Sequence, residues 1–175
     1  MTAAGLPLLV LGTASTAVLL RRALVSVTVR GTSMEPAYHD GDRVLALRGR
    51  TPAAGHVVVL ERPGPGRLWS QPLLPPWAGA AAVSGRHWMI KRVRAAPGDV
   101  LTPQDAAAFP LLQPGRVPPG NLVLLGDNHR CSLDSQQVGY FPTARVLGIA
   151  LLARPGRAVT ASAAARSRED FPRCP

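Results

Sequence analysis

Beyond residue 22 the sequence contains no long stretch with the 3.6-residue spacing of apolar side chains that an amphipathic helix requires. Instead, short runs rich in β-branched residues are separated by turns, and the chain contains 18 prolines and 17 glycines. These features predict a mostly β fold, a compact antiparallel β domain with Pro/Gly-rich loops. The predicted strands are Leu24–Val29, Arg43–Leu47, His56–Leu60, His87–Arg94, Asn121–Leu125 and Ala144–Leu152.

An uncharged apolar run, residues 3–20, precedes these strands and ends at Arg21 and Arg22. Its length is near the lower limit for a helix that crosses a bilayer. A cleaved secretory signal is the alternative, but no basic residue precedes the run, and the chain continues directly into a β-branched stretch. We therefore expect one N-terminal transmembrane helix, which makes residues 1–22 a single-pass membrane anchor.

The rest of the chain is long enough for one domain with a substantial core, which we assign to residues 23–153. Within it, the range 62–85 contains five prolines and four glycines and is expected to form an insertion loop. Trp69 and Trp77 in this loop either contact a membrane interface or pack locally. Residues 154–175 are polar and rich in alanine and arginine, so we expect a disordered tail there.

The net charge of +10 raises the question of nucleic-acid binding. The arginines are scattered singly or in pairs, and the sequence contains no nucleic-acid-binding motif. We expect no nucleic-acid partner, and we interpret the basic surface as one that faces the anionic headgroups of a lipid bilayer.

Cys131 and Cys174 are the two cysteines of the chain. Two cysteines make neither a disulfide framework nor a metal site. We expect both to be free thiols, and we expect no metal or organic cofactor.

Lysine occurs once in the chain, at position 91, whereas arginine occurs nineteen times. Arginine stays protonated in proteins, but a buried lysine is able to lose its proton. In a strand, Met89, Lys91 and Val93 share one face, so the amine would project from an apolar surface that lowers its pKa. Lys91 is therefore a candidate general base, and the alternative is a lysine side chain that reaches solvent.

The sequence Gly31-Thr32-Ser33-Met34-Glu35-Pro36 follows the first predicted strand. A serine at such a junction presents its hydroxyl and its own backbone N–H to one point, and Gly31 allows a second backbone segment to come close. Ser33 is therefore a candidate nucleophile, with an ordinary turn serine as the alternative.

A polar segment, residues 126–135, follows the apolar strand Asn121–Leu125. Its Asp and Asn side chains are of the type that hydrogen-bonds nearby backbone and makes a loop rigid. Ser132 in this segment is a candidate partner for a lysine amine. The alternative is a polar surface turn.

These three segments, in this order, resemble the type I signal peptidase family of serine proteases, including its mitochondrial inner-membrane members. The serine motif is Gly-Thr-Ser-Met-Glu-Pro, and the lysine motif is Ile-Lys-Arg-Val followed by Pro-Gly-Asp. The third motif is Gly-Asp-Asn followed by Ser-Leu-Asp-Ser. Because three motifs occur in order over roughly residues 25–150, the resemblance is specific.

The resemblance implies that Ser33 is the nucleophile, that Lys91 is the general base and that the Ser132 hydroxyl orients the amine. Three further residues would support the site structurally: Asp127, Asn128 and Asp134. The oxyanion hole would use the Ser33 backbone N–H, and only backbone is available from Gly31. Gln136 stands where the family usually has arginine, so the usual Asp–Arg pair cannot form at that position.

The resemblance also implies a membrane-anchored serine endopeptidase that removes N-terminal signal or leader peptides from preproteins. Two alternatives stay open. One is a maturation peptidase dedicated to a single substrate, similar to the nickel superoxide dismutase processing proteases, and the other is an inactive binding protein of the same fold. Family precedent places the catalytic domain on the extracytoplasmic side of the plasma membrane, whereas Arg21 and Arg22 favour the cytoplasm by the positive-inside rule.

Overall fold

The computed structural model describes residues 23–154, which form a mostly β domain as predicted. In chain order the strands are β1 (Leu24–Thr28), β2 (Arg43–Leu47), β3 (Val57–Glu61), β4 (Trp88–Ala95), β5 (Val100–Leu101), β6 (Gly115–Arg116), β7 (Asn121–Leu125), β8 (Phe141–Pro142) and β9 (Val146–Arg154). The helices in this range are short: α1 (Ala80–Ser84), α2 (Pro103–Ala108) and α3 (Ser135–Val138). Three 3-10 turns cover Pro65–Arg67, His129–Cys131 and Thr143–Arg145.

Seven strands form one antiparallel sheet in the order β1-β2-β9-β3-β4-β7-β8, and β5 pairs with β6 in a separate ladder. The register shifts between β2 and β9, between β3 and β9, and between β4 and β7. Such irregularities bend a strand and increase its twist, so the sheet curls. At Gly148 in β9, a Cβ atom would lie 2.5 Å from the carbonyl oxygen of Leu47, so this close approach requires glycine.

Apolar side chains are buried on both faces of the central strands β3 and β4. Val59 and Ile90 lie in one cluster, which also contains Met34 from the turn after β1. Val58 and Met89 lie in a second cluster, together with side chains of β7 and β8. A third cluster lies beneath β5, α2 and β6. Burial on both faces gives β4 a fixed position between the cores.

The six predicted strands are all present, with ends displaced by at most two residues. The two-residue strands and the short helices lie outside the predicted set, because elements of this length show no periodicity. The helix α2 does have a sequence signal. The Thr102 side chain accepts a hydrogen bond from the Asp105 N–H, and the Asp105 side chain accepts one from the Thr102 N–H. This is a capping box.

The predicted membrane anchor, residues 1–22, lies outside the described residues, and so does all but the first residue of the predicted tail. Among residues 23–154, no helix has both the length and the apolar character needed to cross a membrane.

The insertion 62–85 begins directly after Glu61, a buried residue at the end of β3. The Glu61 carboxylate accepts hydrogen bonds from Arg86 at 2.9 Å and from Arg145 at 2.8 Å. Trp69 packs locally, because its ring meets Phe141 edge-on at 6.4 Å and lies beneath the Arg145 guanidinium. Trp77, in contrast, is 75% exposed.

Candidate active site

The candidate nucleophile Ser33 lies in a turn that is anchored by Gly31 at one end and by Met34 at the other. We call residues 31–34 the nucleophile turn. Gly31 has a positive φ of 84°, a conformation that favours glycine, and its N–H donates to Asp40 Oδ1 at 2.8 Å. Met34 is buried in the first cluster, with 1% of its surface exposed. These contacts hold Ser33 between an anchored glycine and an anchored methionine.

Lys91 lies on the face of β4 that carries Met89 and Val93, as predicted, and it is 2% exposed. Its register partner on β3 is Val58, which is fully buried. The Lys91 Nζ atom lies 2.5 Å from Ser33 Oγ, in hydrogen-bond contact. The fold therefore brings together two candidate catalytic residues that are 58 positions apart in the sequence.

Burial lowers the pKa of the Lys91 amine from its ordinary 10.5 to about 8. The carboxylates of Asp134 and Asp127 oppose this shift, and the positive charge of Arg62 reinforces it. With a pKa of about 8, about a tenth of the molecules carry a neutral amine at pH 7, against about three in ten thousand for an ordinary lysine. The site therefore holds an amine that is able to accept the Ser33 proton.

The segment 126–135 forms hydrogen bonds to the backbone of the nucleophile turn. The Asn128 N–H donates to the Ser33 carbonyl oxygen at 3.0 Å, and the Asn128 side chain donates to the Thr32 carbonyl oxygen at 3.2 Å. A Cβ atom on Gly126 would lie 2.6 Å from the Ser33 carbonyl oxygen, so only glycine fits there. Asn128 thus joins this segment to the backbone of Thr32 and Ser33.

Asp127 joins this segment to the strand that carries the lysine. Its two carboxylate oxygens accept hydrogen bonds from Arg92 Nε at 2.8 Å and from Arg92 Nη2 at 2.7 Å. Such a two-point contact fixes orientation as well as distance. Because Arg92 follows Lys91 in β4, the pair sets the position of the Asp127–Asn128 turn relative to the amine.

Asp134 stabilises the other end of the segment through backbone amides. Its carboxylate accepts hydrogen bonds from the N–H groups of Gly126 and Gln136, both at 3.0 Å. The Gln137 Oε1 atom accepts a hydrogen bond from the Asp134 N–H, which completes a capping box at the start of α3. Position 136 is glutamine, and the Asp134 carboxylate bonds to backbone amides where members of the type I signal peptidase family would pair it with an arginine side chain.

Ser132 and Ser135 differ in their surroundings, although both side chains are buried. The Ser135 hydroxyl accepts a hydrogen bond from the buried Leu124 N–H at 2.8 Å. The Ser132 hydroxyl has no hydrogen-bond partner among residues 23–154, and it packs against the Cα of Gly126. The structure places Ser132 in the loop beside the nucleophile turn but shows no bond between it and Lys91.

The Ser33 N–H also has no hydrogen-bond partner within the described part of the chain. The Gly31 N–H is occupied by Asp40, so it is not an additional donor for an oxyanion in this arrangement. The donor that this turn makes available is the amide of Ser33 itself.

A cleft of about 710 Å³ adjoins the nucleophile turn on the side of β4 that carries Arg92 and Arg94. Pro36 and Ala37 form its border with the turn. Neither Ser33 nor Lys91 lines it, so the cleft lies beside the pair and does not contain it.

Cys131 is disulfide-bonded, so the expectation of a free thiol at this position is wrong. The spacing of cysteines in a sequence does not measure which sulfur atoms a fold brings within bonding distance. Cys174 lies outside the described residues.

The model of the signal peptidase family, peptidase S26, matches residues 4–107 and 101–153. The chain belongs to the signal peptidase family. It is also 28% identical, over 152 residues, to thylakoidal processing peptidase 1, chloroplastic, from Arabidopsis thaliana. That alignment covers 75% of this chain and 42% of the relative, so the chain spans less than half the length of that protein.

Sequence reasoning named Ser33 and Lys91, which the structure brings into contact, but missed the contacts that position them in this signal peptidase family member. The ion pair between Arg92 and Asp127 had no sequence signal, because it depends on the register of β4 against β7. The capping box of α3 did have one, since Asp134 is followed three residues later by Gln137.

We expect Arg92→Ala to lower turnover roughly 10- to 100-fold, because a small displacement between the candidate nucleophile and the candidate base would carry a large penalty. Removing Arg92 also leaves the Asp127 charge unbalanced, and that charge raises the pKa of Lys91. The rise of turnover with pH, which follows deprotonation of the Lys91 amine, should therefore move to higher pH. Peptide cleavage measured over a pH series checks both effects.

The matched control is Arg94→Ala. Arg94 lies on the same face of β4 and pairs with Asp105 at 2.6 Å, away from the nucleophile turn. Arg94→Ala should leave unchanged both the turnover and the pH range over which turnover rises. Equal effects of the two substitutions would show that the Arg92 pair has no special relation to the site.

Proposed function

We propose that this protein is a membrane-anchored serine endopeptidase that removes N-terminal signal or leader peptides from preproteins. The observation that carries the proposal is the contact of 2.5 Å between the buried Lys91 amine and the Ser33 hydroxyl. Family membership supports the substrate class, since it implies preproteins as substrates.

In the proposed first half-reaction, the neutral Lys91 amine accepts the Ser33 hydroxyl proton as Ser33 Oγ attacks the scissile carbonyl carbon. The carbonyl oxygen becomes an oxyanion, which the Ser33 N–H stabilises. The Lys91 ammonium then donates its proton to the leaving amine. The peptide C–N bond breaks, and an ester between Ser33 and the leader peptide is left.

In the second half-reaction, the neutral Lys91 amine takes a proton from water, which attacks the ester carbonyl. The oxyanion forms again at the same N–H, and Lys91 returns the proton to Ser33 Oγ as the ester bond breaks. The leader peptide leaves with a new carboxylate. One amine thus serves as base and acid in turn, and no cofactor takes part.

Ser132 is proposed to orient the Lys91 amine during these steps. Its buried hydroxyl lacks a partner among residues 23–154, which is unusual for a buried polar group. A small movement of the amine or an intervening water would satisfy it. The role of Asp127, Asn128 and Asp134 in this proposal is to hold the loop that carries Ser132 against the nucleophile turn.

The anchor in residues 1–22 would hold the enzyme in the plasma membrane, where preproteins present their leader peptides. We propose that residues 23–153 lie on the extracytoplasmic side, following the family precedent rather than Arg21 and Arg22. Digestion of this domain by protease added to intact cells would support that orientation, and full protection would contradict it.

We expect Ser33→Ala and Lys91→Ala each to abolish cleavage of a preprotein while the protein stays folded, because each removes a group that takes part in bond formation. Lys91→Arg should be equally inactive, since arginine stays protonated. Cleavage followed by electrophoresis, with circular dichroism to check folding, tests both statements.

An active-site acylating probe separates this proposal from an inactive binding protein of the same fold. The wild type should be labelled at Ser33, and Ser33→Ala should not be labelled. Substantial cleavage by Lys91→Arg would refute the general-base assignment, and cleavage by Ser33→Ala would refute the nucleophile.

Ser132→Ala and Ser135→Ala should have opposite effects. Ser132→Ala removes a hydroxyl without a partner, so it should leave stability nearly unchanged while turnover falls ~10- to 1000-fold. Ser135→Ala leaves the buried Leu124 N–H unsatisfied, so it should lower the free energy of unfolding by about 1–3 kcal/mol while the folded enzyme keeps its turnover. Denaturant unfolding and steady-state kinetics measure the two quantities. Normal turnover in Ser132→Ala with lost turnover in Ser135→Ala would transfer the orienting role to Ser135.

A further inference from the structure

Three arginines hold the insertion 62–85 in a defined shape. Their guanidinium groups donate to backbone carbonyl oxygens on the outer part of the loop. The contacts are Arg48 to Pro76 at 3.1 Å and to Ala78 at 2.7 Å, Arg86 to Pro72 at 2.7 Å, and Arg145 to Gln71 at 2.8 Å. Arg86 and Arg145 are themselves held by the buried Glu61 carboxylate. These hydrogen bonds give the loop a defined conformation within the domain.

This shape nevertheless exposes large apolar side chains at the turn of residues 73–77, which we call the apolar tip. Leu73 is 54% exposed and Trp77 is 75% exposed, whereas Leu74 between them packs against the first core cluster. Because Leu74 is partly buried while Leu73 and Trp77 face outward, the tip is a surface feature with a fixed direction. Contiguous exposed apolar surface marks protein or membrane contact sites.

The apolar tip lies beside the start of β1. Arg48, whose side chain holds Pro76 and Ala78, donates its backbone N–H to the Ala23 carbonyl oxygen at 2.8 Å. Ala23 is the residue at which the described chain begins, directly after the apolar run of residues 3–20 and Arg22. The tip and the point of entry of that run are therefore at the same end of the domain.

Charge around the tip favours an anionic partner. Between Glu61 and Asp99 the sequence contains no acidic residue, while the insertion contains Arg62 and Arg67. Arg86 does not add to this charge, because it pairs with Glu61. Cations attract the headgroups of anionic lipids over distances near the Debye length. Tryptophan is enriched at membrane–water interfaces, where its apolar ring and polar N–H match the two sides of the boundary.

We propose that the apolar tip inserts into the headgroup region of an anionic lipid bilayer, with Trp77 and Leu73 as its membrane contacts. The inference builds on the proposed function, in which residues 1–22 anchor the chain, and it adds a second contact that fixes the orientation of the domain. With two contacts, the nucleophile turn after β1 would stand at a set height and angle above the bilayer surface.

Tryptophan fluorescence of the full chain in vesicles tests this contact. Vesicles of phosphatidylcholine and phosphatidylglycerol are prepared with brominated acyl chains, since bromine quenches tryptophans that reach the boundary of the acyl region. We expect wild-type emission to shift to shorter wavelength and to be quenched. Trp77→Phe should lose most of that quenching, because Trp69 and Trp88 are partly buried and pack against the core clusters.

A relocated tryptophan provides the matched control. Leu111 is 47% exposed in the unit formed by β5, α2 and β6, away from the insertion. The double variant Trp77→Phe/Leu111→Trp restores an exposed tryptophan but should not restore quenching. Quenching in this variant equal to that of the wild type would overturn the inference.

Three other results would also overturn it. They are wild-type emission that is not quenched, emission that shifts without quenching because protein covers Trp77, and failure of the full chain to float with the vesicles. Preprotein cleavage is measured on the same samples. Intact cleavage without quenching refutes only the membrane contact, whereas quenching without cleavage refutes only the proposed peptidase function.

Discussion

The structure depends above all on the burial of one amine. Lys91 is 2% exposed on the face of β4 that carries Met89 and Val93, and burial lowers its pKa from 10.5 to about 8. A shift of that size corresponds to a cost of about 3 kcal/mol for keeping the amine charged in the fold. The rest of the fold offsets this cost, because β4 is buried on both faces and Val58 lies opposite the lysine. The neutral amine that results is what makes Ser33 a nucleophile in the proposed reaction.

A second constraint follows, because a buried base is useful only if the nucleophile meets it. Ser33 belongs to a turn at the edge strand β1, far from β4 in the strand order of the sheet. The segment 126–135 bridges this gap. It binds the backbone of the nucleophile turn through Asn128 and the lysine strand through the pair of Asp127 with Arg92. The distance of 2.5 Å between Nζ and Oγ thus depends on three segments that are remote from each other in sequence.

These features explain how far the sequence alone could reach. Strand periodicity predicted which side chains share a face with Lys91, since alternation is a local property. The lone lysine pointed to chemistry that arginine cannot perform. The Arg92–Asp127 pair and the bond from Gly31 to Asp40 could not be predicted, because both depend on how separate segments pack. The orientation of the insertion had the same limit: two similar tryptophans are present, and only the fold distinguishes the packed Trp69 from the exposed Trp77.

Direct titration of Lys91 tests whether burial lowers the pKa of its amine enough for it to act as a base. Because the chain contains one lysine, protein labelled with ¹³C-lysine gives a single side-chain signal, and no assignment is needed. Nuclear magnetic resonance then follows the Cε shift of this signal over a pH series, with Ser33→Ala as a comparison for the effect of the serine hydroxyl. We expect a midpoint near pH 8, in agreement with a desolvated amine that is partly neutral at physiological pH. A midpoint near 10.5 would show a solvated, protonated lysine and would contradict its role as the general base.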